Sequence, residues 1–216
     1  MTYLLETLEY LLSGMGVSLK IFVVTLVFSF PLSVLLSMVY RQNIVVKKCI
    51  SFYTWLFRGT PLMLQLILIM YGLPAIGIDI DRMMVAYIGF MINYTAYFTE
   101  ILRAGIESLP KDQFESAEIL GATSIETFRF VILPQVVRIQ LPVFTNETIT
   151  LIKDTALVTV IALPDIMRKV KEVISRDFTI SPFILAGAFY LFISYLIIKI
   201  AKRVEKKYDF LESTSI

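Results

Sequence analysis

Long apolar stretches separated by short charged connectors organise this chain. Ile21–Tyr40 reads IFVVTLVFSFPLSVLLSMVY, free of charge throughout, and meets the roughly 20 apolar residues that a bilayer-crossing helix requires. Pro31 within it predicts a kink. Pro61–Ile78 predicts a second span, extended backwards by the apolar run Ile50–Phe57 past Arg58. Met83–Phe98 continues as a helix towards Gly105 and makes a third. Val136–Leu157 is the fourth and least apolar, because it carries Glu147, Lys153 and Asp154; Ser181–Ile198 is the fifth. The expected fold is an all-α membrane protein of about five spans (17–40, 50–78, 83–106, 132–157 and 180–203) in a single transmembrane domain over residues 1–216.

Five spans put the termini on opposite sides, and basic residues decide which side is cytoplasmic. Arg41, Lys47 and Lys48 follow the first span, Arg103, Lys111 and Arg129 lie between the third and fourth, and Lys199, Lys202, Arg203, Lys206 and Lys207 follow the fifth. All fall on one side if the N-terminus is outside, so the expected placement is multi-pass in the cell (inner or cytoplasmic) membrane with a cytoplasmic C-terminus. Arg168, Lys169, Lys171 and Arg176 depart from this pattern, partly offset by Asp165, Glu172 and Asp177. Leu4–Leu12 is amphipathic, with Glu6 and Glu9, and no basic residue precedes Lys20, so it does not read as a signal peptide.

Composition narrows the chemistry. Hydrophobic residues make up 57% of the 216 and charged residues 18%, against about 25% charged in soluble domains; mean hydropathy is +0.76. A net charge of +2 gives no reason to expect nucleic acid. The absence of histidine excludes Ser-His-Asp catalysis and His-ligated metals, and the lone Cys49 excludes an intrachain disulfide or a multi-Cys metal site. No segment fits the phosphate-cradling GxxxxGK[ST] pattern. No cofactor is expected in this chain; if ATP drives it, another chain hydrolyses it.

Ser108–Phe130 (SLPKDQFESAEILGATSIETFRF) is too polar to cross a membrane and too helical for a plain loop. Pro110-Lys111-Asp112 predicts a helix start, and Gly121-Ala122-Thr123-Ser124 a break. Ser124 is then the expected cap of a second helix with Glu126 and Thr127 in its first turn. A solvated connector is the simpler reading of the same pattern.

Glu115-Ser116-Ala117, Gly121 and Val131-Ile132-Leu133-Pro134 resemble the EAA-x3-G-x9-I-x-L-P signature of importer permeases of the ATP-binding-cassette class. Ser116 and Val131 are conservative departures. Arg58-Gly59-Thr60-Pro61-Leu62 with Gln65, Glu100-Ile101-Leu102-Arg103-Ala104-Gly105-Ile106, and Lys153-Asp154-Thr155-Ala156-Leu157 resemble recurring segments of the polar amino acid permeases. The likeness covers Val17 to Tyr208. It implies a permease subunit that pairs with a second one (homodimer or paralogue), two ATPase subunits using ATP and Mg, and an extracytoplasmic amino-acid-binding protein. It also implies that Glu115, Ala117, Gly121, Ala122, Leu133 and Pro134 belong to a segment that docks in the ATPase.

Charged groups at mid-membrane usually face a bundle interior or a cavity. At helical spacing Glu147, Thr150 and Asp154 share one face, Asn146, Thr150 and Lys153 its neighbour, and Asn93, Tyr97 and Glu100 form a stripe on the third span. Two such stripes predict a small hydrated cavity between spans three and four. The resemblance implies a substrate site at Asn93 and Thr95 of span three and Asn146-Glu147 of span four, with Tyr97 a further substrate candidate: Asn93 and Thr95 bond an amino acid's main-chain groups while Glu147 meets a cation, an arginine, lysine or histidine side chain or the α-ammonium, which keeps cystine and glutamine open. The bland alternative pairs Glu147 with Lys153 or Arg138. Gln65 is a substrate candidate, or an amide bonded to a neighbouring helix. Arg58 reads as an interfacial anchor or a gate, beside Trp55 and Tyr53, with Lys153, Asp154 and Glu100 as gate or structural groups. Asp165–Arg176 reads as an outer amphipathic helix, a binding-protein contact or a plain cap. An intramembrane carboxylate enzyme built on Glu147 and Asp154, and a non-transporting scaffold that recruits an ATPase, are the distant alternatives.

Overall fold

The computed structural model describes residues 2–40 and 43–213, with side chains from residue 3 to residue 207 within those ranges. Arg41, one of the basic residues counted above, lies outside the described residues. All regular structure among the described residues is helical.

Helix α1 (Thr2–Leu12) leads into α2 (Met15–Val39), and together they make an apolar stretch, Tyr3–Val39, of 37 residues that runs on through Pro31. On α2 the usual soluble pattern is inverted. Thr25, Ser29, Ser33 and Ser37 are buried at intervals of four residues, while Val23, Val27, Phe28, Leu32 and Leu35 face outward. In water that outer face would be unfavourable; in lipid it is solvated, and small inner side chains let a neighbouring helix approach. The neighbour is α5 (Arg82–Ser108), which α2 packs along, with Ser29 Oγ donating to the Met91 carbonyl at 3.2 Å. Phe30, Phe98 and Phe144 interlock in edge-on and tilted pairs with centroids 5.5–6.4 Å apart.

The expected second span is not one helix. α3 (Ile44–Gly59) and α4 (Leu62–Ala75) meet at 101°. At 1.5 Å per residue each is about 21–24 Å long, short of the ~30 Å hydrocarbon core. Pro61 cannot continue the hydrogen-bond ladder of α3, and Thr60 before it is extended (φ −117°, ψ 144°). The expected fourth span is likewise bent, by 65°. It comprises α7 (Ser124–Glu126), a π-helical segment Thr127–Ile132, α8 (Leu133–Ile139), α9 (Leu141–Asp154) and a 3-10 segment Thr155–Ile161. The bend falls at Gln140, just before Pro142 in the first turn of α9. Among the described residues, by length and apolarity alone two stretches suffice to cross a membrane, Tyr3–Val39 and Ser181–Lys207, or four if each bent pair counts as one. α5 is not among them because Asn93, Thr95, Thr99, Glu100 and Arg103 lower its apolarity.

The ends of the elements define two faces. On one, the ends of α2 and α5, the start of α3 and helix α6 (Asp112–Ile119) converge around a cavity that Tyr40, Lys47, Glu107 and Lys111 help to line. On the other, α1 packs against α10 (Ile166–Asp177) and the start of α11 (Ser181–Ser213), sharing a core of Leu11, Ile166, Val170 and Ala186. Gly14 fits here because a Cβ would stand 2.7 Å from the Asp165 carbonyl carbon. The basic residues of α10 are partly paired: Arg168 with Glu172 at 3.1 Å and Arg176 with Asp177 at 2.7 Å. Tyr3 and Tyr10 donate to Asp177 and Glu172.

Candidate functional site

Two polar constructions stand out, one inside the helical bundle and one on the α6 face. The first begins at the break between α3 and α4. A helix end leaves carbonyls without partners, and here two buried amides supply them. Gln65 Nε2 donates to the Phe57 carbonyl (2.9 Å), the Thr60 carbonyl (3.1 Å) and Thr60 Oγ1 (2.8 Å). Asn93 Nδ2 donates to the same Phe57 carbonyl (3.0 Å) and to Gln65 Oε1 (3.1 Å). Both amides are therefore engaged in holding the bend against α5.

At the end of α3, Arg58 stays partly open to the surroundings while its guanidinium lies 3.3 Å from Glu100 and 5.5 Å from the centre of the Tyr97 ring. Glu100 also takes two hydrogen bonds from Arg103 (3.0 and 2.7 Å) and one from Thr54 (2.8 Å), and Arg103 reaches Glu107 at 2.7 Å. A ladder of alternating charge thus runs along α5 towards the α6 face.

Across from it, α9 presents Glu147 and Asp154, both half-buried. Asp154 Oδ2 accepts the Tyr94 hydroxyl at 2.7 Å, and Glu147 lies within electrostatic reach of Asp154, Arg58 and Tyr97. Tyr94, Tyr97, Arg58, Glu147 and Asp154 therefore form one cluster of both charges between α5, α9 and the α3–α4 bend. The third-span stripe does not act as a unit: Asn93 serves the bend, Tyr97 faces the cluster and Glu100 joins the ladder. Thr95, about 160° round the helix from Tyr97, is buried beside Tyr53 on α3. Asn146 and Lys153 lie on the exposed side of α9. Tyr94 was absent from the sequence-based set, although its position three residues before Tyr97 places both on one helical face.

The second construction is the α6–α7 connection. α6 ends in a Schellman motif: Gly121 N–H donates to the Glu118 carbonyl (2.9 Å) and Ala122 N–H to the Ala117 carbonyl (3.0 Å). Gly121 carries φ +80°, a conformation that side chains oppose. The next helix is capped by Thr123, not Ser124. Thr123 Oγ1 accepts the Glu126 amide (3.3 Å), and Glu126 takes the Thr123 amide and hydroxyl (2.8 and 2.7 Å), a reciprocal capping box. These bonds from Thr123 hold the Glu126 carboxyl below its ordinary range. Ala117 is buried against the chain's own body rather than offered outward. The outer surface instead carries Glu115 and Ser116 with two large apolar side chains, Ile119 and Leu120, exposed to 85% and 86%. Leu133 and Pro134 open α8, where Pro134 lacks the amide that would return to Phe130, directly after the wider π turns.

Residues 19–210 match the family described as the binding-protein-dependent transport system inner membrane component. The chain is 36% identical to the arginine transport system permease protein ArtQ of Bacillus subtilis over 93% of each chain. It is 35% identical to the putative glutamine transport system permease protein GlnP of Rickettsia bellii over 92% of each. A crystal structure of an amino acid ABC transporter with histidines superposes with a TM-score of 0.85 at 29% identity, covering 95% of this chain and 97% of that one. With an all-helical bundle, an apolar exterior and an exposed helical connection between α5 and α8, the chain belongs to this family of inner membrane transport components and is an amino acid permease subunit of an ABC transporter, with ATP hydrolysis on a separate subunit.

Proposed function

We propose that this permease imports a polar amino acid bearing a cationic side chain (arginine, lysine or histidine), recognised between α5, α9 and the α3–α4 bend. The observation that carries the reading is the gathering of two half-buried carboxylates, Glu147 and Asp154, beside Tyr94 and Tyr97, with the Arg58 guanidinium at the Tyr97 ring. A cationic amino acid presents two positive groups and one carboxylate. Glu147 meets the side-chain cation, the Asp154–Tyr94 pair the α-ammonium, and Arg58 the α-carboxylate. Gln65 and Asn93 support the site through the bend instead of by direct contact, and Thr95 through its packing beside Tyr53 on α3. Similar permeases are named for arginine, glutamine and cystine transport, and the two carboxylates on α9 favour the cationic member of that set.

In this reading two permease subunits, as a homodimer or with a paralogue, stand beside two ATPase subunits, which bind ATP and Mg. An extracytoplasmic binding protein delivers the amino acid to the α1–α10 face. The α6 face is cytoplasmic, so the N-terminus is outside and the C-terminus inside. Closure of the ATPases draws in α6 and α7 through Ile119, Leu120 and Glu115, and the rigid spans carry the movement to the site. Labelled arginine binding to the detergent-solubilised permease–ATPase complex, without binding protein, tests the site: Glu147→Gln is expected to abolish it, and undiminished binding would refute this placement.

A further inference from the structure

We propose that the cavity of about 640 Å³ between the ends of α2 and α5, the start of α3 and helix α6 binds the phosphate headgroup of an anionic phospholipid. Its wall includes a polar group that makes no hydrogen bond within the described residues. Ser37 is 2% exposed, and its hydroxyl has no hydrogen-bond partner among the described residues. Three sources of positive charge line the same cavity. Lys47 is steered along the wall by the Tyr40 ring, 5.7 Å from its Nζ; Lys111 enters from the segment before α6; and α3 directs the partial positive charge of its N-terminus, capped by Asn43, into the same space. Arg103 is already matched by Glu100 and Glu107, which leaves the two lysines to face an anion past Glu115 at the wall.

The other half of the wall argues for a lipid over a free phosphate. Ile44, Ile106, Leu109 and Phe114 are apolar, and Ile44 and Val45 continue outward as an exposed apolar edge, 64% and 66% accessible. A soluble anion would leave that surface in water, whereas a glycerophospholipid covers it. Basic pockets at the ends of transmembrane helices suit anionic headgroups for this reason. The bound headgroup would touch α2, α3, α5 and α6 together and so tie the exposed helix to the spans. The inference rests on the membrane placement of α2 and α5 and not on the substrate, so either can fail alone.

The test uses the whole permease–ATPase complex, reconstituted in phosphatidylcholine–phosphatidylglycerol vesicles, extracted into detergent and weighed by native mass spectrometry. Wild type is expected to retain phosphatidylglycerol in preference to phosphatidylcholine. The Lys47→Gln/Lys111→Gln pair should lower that retention roughly tenfold or more, Ser37→Ala should lower it less, and Lys171→Gln on the opposite face should leave it unchanged. Both lysines are exposed, so their loss does not disturb the core. Equal retention in the double variant would overturn the proposal, as would displacement of the lipid by inorganic phosphate alone.

Discussion

The Tyr94 hydroxyl donates a 2.7 Å hydrogen bond to Asp154 Oδ2 and so joins the centre of α5 to the last turn of α9. A break in either helix would move these groups apart. Tyr94 is one of the largest fully buried side chains, so its position is fixed by packing while its hydroxyl is left to the carboxylate. Tyr94→Phe keeps the ring and removes the bond. Stability is expected to fall by about 1 kcal/mol, visible as a melting temperature lower by about 2–4 °C, with a raised KM for uptake. An unchanged KM would separate this pair from the site.

The α3–α4 bend makes a sharper stability prediction. Gln65→Ala strands the Thr60 carbonyl and removes the Oε1 that Asn93 donates to, while the Phe57 carbonyl keeps Asn93; the expected cost is about 1–3 kcal/mol per buried group left without a partner. Asn93→Ala should cost less, because Gln65 still reaches Phe57. Thermal unfolding of the two variants checks the order, and a reversed order would contradict the assigned roles.

At the α6–α7 connection, Gly121→Val forces a β-branched residue to φ +80°. Nothing lies within 4 Å of an added Cβ, so the strain is confined to the turn. The variant is expected to insert normally yet transport poorly per ATP hydrolysed. The capping box that follows adds a pH statement. Because Glu126 is held below the ordinary carboxylate range, its contribution is complete at neutral pH and is lost only as pH falls through that lowered value. Uptake measured against pH should show no loss from this element above the ordinary carboxylate range; Glu126→Gln should remove the acid dependence.

Ile119 and Leu120 are the most exposed large side chains of this connection. Replacing both with serine should weaken co-purification of the ATPase while leaving the melting temperature of the permease within about 1 kcal/mol equivalent. Full co-purification would place the contact elsewhere. On the opposite face, Gly14→Ala drives a methyl against the Asp165 backbone and should cost about 1–3 kcal/mol.

Much of this was legible in the sequence. Uninterrupted apolar runs announced α2 and α11, and the polarity of Ser108–Phe130 announced an exposed helical connection. The bends at Thr60–Pro61 and Gln140 were harder to read, because a proline inside an apolar run permits both a kink and a break, and Pro31 leaves its helix intact. The cap sits one residue before the expected Ser124: Thr123 and Ser124 can both accept an amide, and only the Thr123–Glu126 spacing completes the reciprocal box. Within the site, charge marked Glu147 and Asp154, but an amide such as Asn93 gives no sign of whether it faces a ligand or a broken helix end.

The central claim is most directly tested by uptake into proteoliposomes containing the cognate ATPase and binding protein, comparing wild type with Glu147→Gln across labelled arginine, histidine, glutamine and cystine. The account predicts loss of the cationic substrates with any glutamine or cystine transport preserved. Unchanged arginine uptake by Glu147→Gln, at normal abundance in the membrane, would contradict it.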